Sequence, residues 1–139
     1  MALSSASIVS CTVLWDRGVE IPTGKYVGEY TILRTAPADT TLGGNRVQST
    51  DVTMLINAEQ RTYRCAPVSD SSILAASNGV YALAHTRITF TDRSSATLAR
   101  DASRVIQGQF SYTFDGIHLI MKQTDAQTQR ERSFFLLRK

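Results

Sequence analysis

The chain has 139 residues, of which 42% are hydrophobic and 19% charged, with a formal net charge of +3. That length fits one domain with a core of its own, and the composition excludes a disordered chain or one made of membrane-spanning helices. Its 15 basic side chains are scattered among 12 acidic ones, so net charge alone does not point to a polyanionic partner.

The chain opens on "MALSSASIVSC", which carries neither the basic leader nor the sustained apolar core of a secretory signal. The preferred expectation is export to the periplasm or cell surface, with the signal sequence absent from this chain; a cytoplasmic location is the alternative. "IVSCTVLW" at 8–15 is far too short to cross a bilayer and reads as a lead-in strand, so no transmembrane segment is expected. It contains Cys11, while Cys65 sits in a second strand-like run. A buried free thiol is the default for each, and a Cys11–Cys65 disulfide is the alternative in an exported chain.

Beyond this lead, runs rich in Val, Ile, Thr, Tyr and Phe recur between Gly, Asn, Asp, Ser and Pro. They predict strands near 25–35, 47–57, 61–67, 79–84, 87–91, 94–99, 105–114, 117–124 and 130–138. The longest connection is "APADTTLGGN" at 36–45, "INAEQRTY" at 56–63 offers a reversal, and "DSSILAASNG" at 70–79 suggests one helical turn capped by Asp70. Asp115-Gly116, between two alternating runs, predicts a hairpin turn, since both residues tolerate positive φ. No window keeps a helical period. The expected fold is all-β: a single antiparallel up-and-down barrel of about eight to ten strands, with 1–23 leading in and 24–139 forming the main barrel.

A pattern recurs inside the barrel region. Gly79, Tyr81, Leu83, Ile88 and Phe90 reappear without a gap as Gly108, Phe110, Tyr112, Ile117 and Leu119, and its beginning appears earlier as Gly24, Tyr26, Gly28 and Tyr30. Each copy reads as a hairpin of a meander. Phe110, Tyr112 and Phe114 should line one face with Ile117, Leu119 and Met121 opposite, leaving His118 and Lys122 outside.

These segments, "GKYVGEYTI", "VTMLINAEQRTYRC", "GVYAL…ITFTD", "GQFSYTFDGIHLIMKQ" and the closing "FFLLRK", resemble bacterial lipocalin-like domains of the calycin type over most of 24–139. Gly24-Lys25-Tyr26 stands where typical lipocalins carry Gly-x-Trp, and the single tryptophan, Trp15, lies upstream. The resemblance implies a small barrel without a cofactor, holding at most a small apolar ligand in its cup.

Reactive groups are few. His85 is expected at a reversal and His118 on the outer face, too far apart in sequence to suggest a metal site. There is no Gly-x-Ser-x-Gly elbow, phosphate-cradling loop or selectable carboxylate pair, so no enzyme is expected. Single-strand nucleic-acid binding would need cations alternating with aromatics along one face. The best such stripe, Arg61 and Tyr63, ends at Cys65, so no nucleic-acid partner is expected. A self-assembling capsid or filament subunit is the alternative, suggested by Phe134 to Leu137 at the closing strand. Its basic residues Arg130, Arg132, Arg138 and Lys139 read as a solvated face. The expectation taken forward is a non-catalytic barrel, a small-ligand binder or interaction module. A ligand would meet Tyr26, Tyr30, Tyr81, Phe110 and Tyr112.

Overall fold

Alternation of large apolar and small polar residues forces each extended segment to bury one face, and eight such segments satisfy this by closing on themselves. The computed structural model of the chain describes residues 18–34, 46–69, 73–94, 105–125 and 130–139. Its strands are β1 (Gly24–Arg34), β2 (Arg46–Asn57), β3 (Thr62–Pro67), β4 (Ser77–Ala84), β5 (Arg87–Asp92), β6 (Gly108–Phe114), β7 (His118–Asp125) and β8 (Arg130–Arg138). They form a closed barrel in sequence order, all antiparallel, with β1 paired to both β2 and β8. The expected strands at 8–15 and 94–99 and the loop at 36–45 lie largely or wholly outside the described residues.

Three expectations change. The described part of 70–79 contains no helical turn: Ile73, Leu74 and Ala75 enter the core and β4 begins at Ser77. Residues 105–107 precede β6, with Val105 and Ile106 buried. The repeat also shifts at its second turn. Tyr81 pairs with Phe90, but Phe114 pairs with Leu119 and Tyr112 with Met121. The β6–β7 arm runs further before reversing, so Ile117 falls in the turn and is 57% exposed while Leu119 and Met121 take the inner places.

Within that turn only Gly116 takes positive φ, at 103°. Asp115 works through its carboxylate instead, accepting hydrogen bonds from the amides of Ile117 (2.9 Å) and His118 (2.6 Å) and pairing with His118 Nδ1 at 2.8 Å. These contacts, the amide of His118 first, then that of Ile117, then the His118 ring, hold its pKa down to about 2 from 3.8. The stabilisation therefore stands in full above the ordinary carboxylate range and is lost as pH falls through about 2. Lowering pH from 5 toward 2 should accelerate hydrogen exchange at the Ile117 and His118 amides ahead of those in β1 and β2. Equal protection at both pH values, after correction for intrinsic exchange, would refute the assignment.

The two ends of the barrel differ. At the end bearing the β2–β3, β4–β5 and β6–β7 turns, residues 18–23 cross the mouth as a strap rather than a strand. Ile21 is fully buried, Val19 O accepts from the Tyr112 hydroxyl at 2.6 Å, and Pro22 O accepts from the Tyr26 hydroxyl at 2.6 Å. Thr23 Oγ1 accepts from the Ala58 amide at 2.8 Å, and Glu20 pairs with Arg61 at 2.8 Å. At the opposite end Leu74, Val105 and Ile106 are fully buried.

Candidate functional site

The sequence-predicted ligand residues are all buried in one interior. Tyr26, Tyr30 and Phe110 are fully buried, and Tyr81 and Tyr112 are 4% and 5% exposed. They come from β1, β4 and β6 because each occupies an inward position of its strand. The rings of Tyr30, Phe110 and Tyr81 belong to a continuous stack: Tyr30 meets Phe134 at 4.6 Å between centroids, Phe134 meets Phe110 at 5.9 Å, and Phe110 meets Phe90 at 5.7 Å. Phe90 then meets Tyr63 at 4.9 Å and Tyr81 at 6.5 Å. Tilted and edge-on geometries of this kind are those that aromatic quadrupoles favour.

The hydroxyls of Tyr26, Tyr30 and Tyr112 already serve the chain itself, while that of Tyr81 is buried without a hydrogen-bond partner among the described residues. Beyond the two strap bonds, Tyr63 donates to Ile106 O at 3.1 Å, and the Arg61 guanidinium lies 5.7 Å from the Tyr81 ring centroid. Burial raises the pKa of Tyr26, Tyr30, Tyr63, Tyr81 and Tyr112, so all remain neutral at physiological pH.

One interior residue corrects the sequence reading outright. Arg132, expected on a solvated face, is 3% exposed inside the barrel. Its Nε donates to the Tyr30 hydroxyl at 2.7 Å, one terminal nitrogen to Val105 O at 2.6 Å, and the other to Gln123 Oε1 at 3.2 Å. Its guanidinium carbon also lies 5.6 Å and 5.7 Å from the ring centroids of Tyr30 and Phe110. The signal was available: Arg132 shares the parity of Phe134 and Leu136, both fully buried. Basic side chains at a terminus read as solvated by habit, and the parity of the strand overrules that habit.

Cys65 is buried on the same interior, a free thiol. Burial pushes its pKa up to about 12, against a smaller downward pull from Arg132, so it is a protonated core residue at neutral pH. Cys11 lies outside the described residues. His85 sits in the β4–β5 turn with φ 53°, and His118 lies on the outer face against Phe135, as the alternation implied. Among the described residues no three His, Cys, Asp or Glu side chains are grouped to hold a metal, and no helix is long and apolar enough to cross a membrane.

The outer wall has two features of its own. On β7, β8 and β1, Ile120 pairs with Phe135, and Leu137 pairs with Val27; Phe135 is 51% exposed. On β2 to β4, shallow recesses of about 280 and 490 Å³ flank the Arg64–Asn78 pair. Comparison with protein families, curated proteins and solved structures returns no match for this chain.

Proposed function

We propose that this chain is a non-catalytic, lipocalin-like barrel that acts as an interaction module through its outer wall. The observation supporting this is that the chain fills its own interior. Ile21 closes one mouth, Leu74 and Ile106 lie buried toward the other, and an aromatic stack with Arg132 occupies the space between. A carrier needs rings that face a vacant cup and polar groups left over to orient a guest. Here the Tyr26 and Tyr112 hydroxyls donate to the strap, and the Tyr30 hydroxyl accepts from Arg132.

Self-assembly is the second reading, favoured by the wall patch around Phe135, which leaves a large ring half in water. Native mass spectrometry with oleate as an apolar probe separates the possibilities. The expected result is a bare monomer with no one-to-one adduct. A stoichiometric oleate complex would overturn the packed-interior reading in favour of a carrier, and a concentration-dependent ladder of oligomers would favour assembly.

A further inference from the structure

Strand register places side chains from different strands on one outward row. Lys139 donates its backbone amide to Lys25 O; Lys25 pairs with Leu55, Leu55 with Arg64, and Arg64 with Asn78, whose carbonyl accepts from the Arg93 amide. All six are exposed. The row thus carries four basic side chains and no Asp or Glu, and among the described residues none of the four forms a salt bridge.

Its densest part is concave. Arg64 and Arg93 line the same recess of about 490 Å³ together with Thr62, Tyr63, Asn78, Gly79 and Val80, the Tyr63 side chain itself being buried in the core. The two arginines lie two strand spacings apart, roughly 10 Å at the backbone, which two long side chains can bridge onto one group between them. Asn78 sits between them with both amide hydrogens and an acceptor to offer, and Thr62 adds a hydroxyl. Two guanidinium forks with no salt-bridge partner among the described residues match the oxygens of a doubly charged, tetrahedral anion.

We propose that the Arg64–Asn78–Arg93 recess is a binding site for the phosphoryl group of a small phosphomonoester or of free phosphate. This rests on the reading that the chain meets its partners on the outer wall. A flat membrane is disfavoured because the row follows the curve of the barrel, turning its cations in different directions. A nucleic-acid strand is disfavoured because none of the residues on the row is aromatic, so bases would find no stacking platform there.

The test is an amide chemical-shift titration of the intact chain with glycerol 3-phosphate, inorganic phosphate and, separately, an oligothymidylate about eight nucleotides long. Saturable shifts centred on Asn78 and Arg93 are expected with at least one of the two small probes. Preference for glycerol 3-phosphate would identify an esterified ligand, and equal binding would identify the phosphoryl group alone. Arg64→Gln and Arg93→Gln should each weaken binding about tenfold, as loss of a charge-assisted contact implies. Lys25→Gln, on the same row but outside the recess, should leave it within about twofold. Thermal unfolding of each variant confirms that the fold is intact. Equal losses in all three variants would mean diffuse attraction, and binding of the oligonucleotide alone would mean a strand; either overturns the proposal, as does the absence of any saturable shift. None of these failures bears on the packed interior, which the oleate experiment tests separately.

Discussion

Replacing Arg132 with alanine is expected to lower the unfolding free energy by about 4 kcal/mol, more than any other substitution of a polar residue in the described chain. The guanidinium is the common partner of three neutral oxygens: the Tyr30 hydroxyl, Gln123 Oε1 and Val105 O. Alanine leaves Val105 O and Gln123 Oε1 without those donors and opens a void between the Tyr30 and Phe110 rings. Arg132→Lys should recover only part of the loss, because an ammonium has three donors at one point and no planar fork. Tyr30→Phe removes a single acceptor from the same network and should cost about 1.5 kcal/mol. Urea unfolding followed by aromatic fluorescence or far-UV circular dichroism gives all three values. An alanine variant within about 1 kcal/mol of the parent would show that the cation adds nothing its surroundings do not supply.

Gly28→Ala should cost about 3 kcal/mol and act on the seam rather than on the core. Gly28 lies where β1 crosses β8, and a Cβ there would drive into the backbone carbonyl oxygen of Phe135 and come within 2.9 Å of Leu136 Cα. Those are main-chain atoms of a paired strand and cannot swing aside as a side-chain tip can. Relief requires β1 and β8 to separate, which breaks the ladder closing the barrel. Gly79 meets the same restriction against Thr91 O and, at 3.0 Å, the Arg93 amide nitrogen, so Gly79→Ala should behave alike at the β4–β5 seam. Hydrogen exchange distinguishes a seam defect from general loosening: protection should fall first along β1 and β8 in the Gly28 variant. A Gly28→Ala protein as stable as the parent would show that the seam yields to a methyl group.

These variants also mark how far the fold could be read beforehand. Alternation along a strand is local, so the inward places of Tyr26, Tyr30, Tyr81, Phe110, Tyr112, Leu119 and Met121 were legible from spacing alone. Gly28 was visible too, but not its reason, because the crowding there comes from a strand distant in sequence. Gly28 faces a residue more than a hundred positions away. The strap at 18–23 was misread as part of a lead-in strand since its contacts follow no period: Ile21 is held by the mouth it plugs and not by a sheet partner. The row from Lys139 through Arg64 to Arg93 was invisible for a related reason. Parity along a strand says which side a residue takes, while register decides which residues stand abreast, and turn lengths fix register only after the hairpins have formed. Arg132 differs from these, since its parity stood in plain view and only its charge argued against an interior place.

The pairing of β1 with β8 also governs the order in which the molecule can be made. Every other strand pair joins neighbours in sequence, but the last seam waits for β8, the strand furthest from β1 along the chain. Until then β1 and β7 each offer an unpaired edge, and β8 arrives with Phe134, Phe135, Leu136 and Leu137 directed to both of its faces. Before β8 pairs, the sheet therefore has two open margins, and closure carries the loop entropy of the whole span between β1 and β8. The interval before that closure is when the barrel is most exposed to mispairing with another copy of itself.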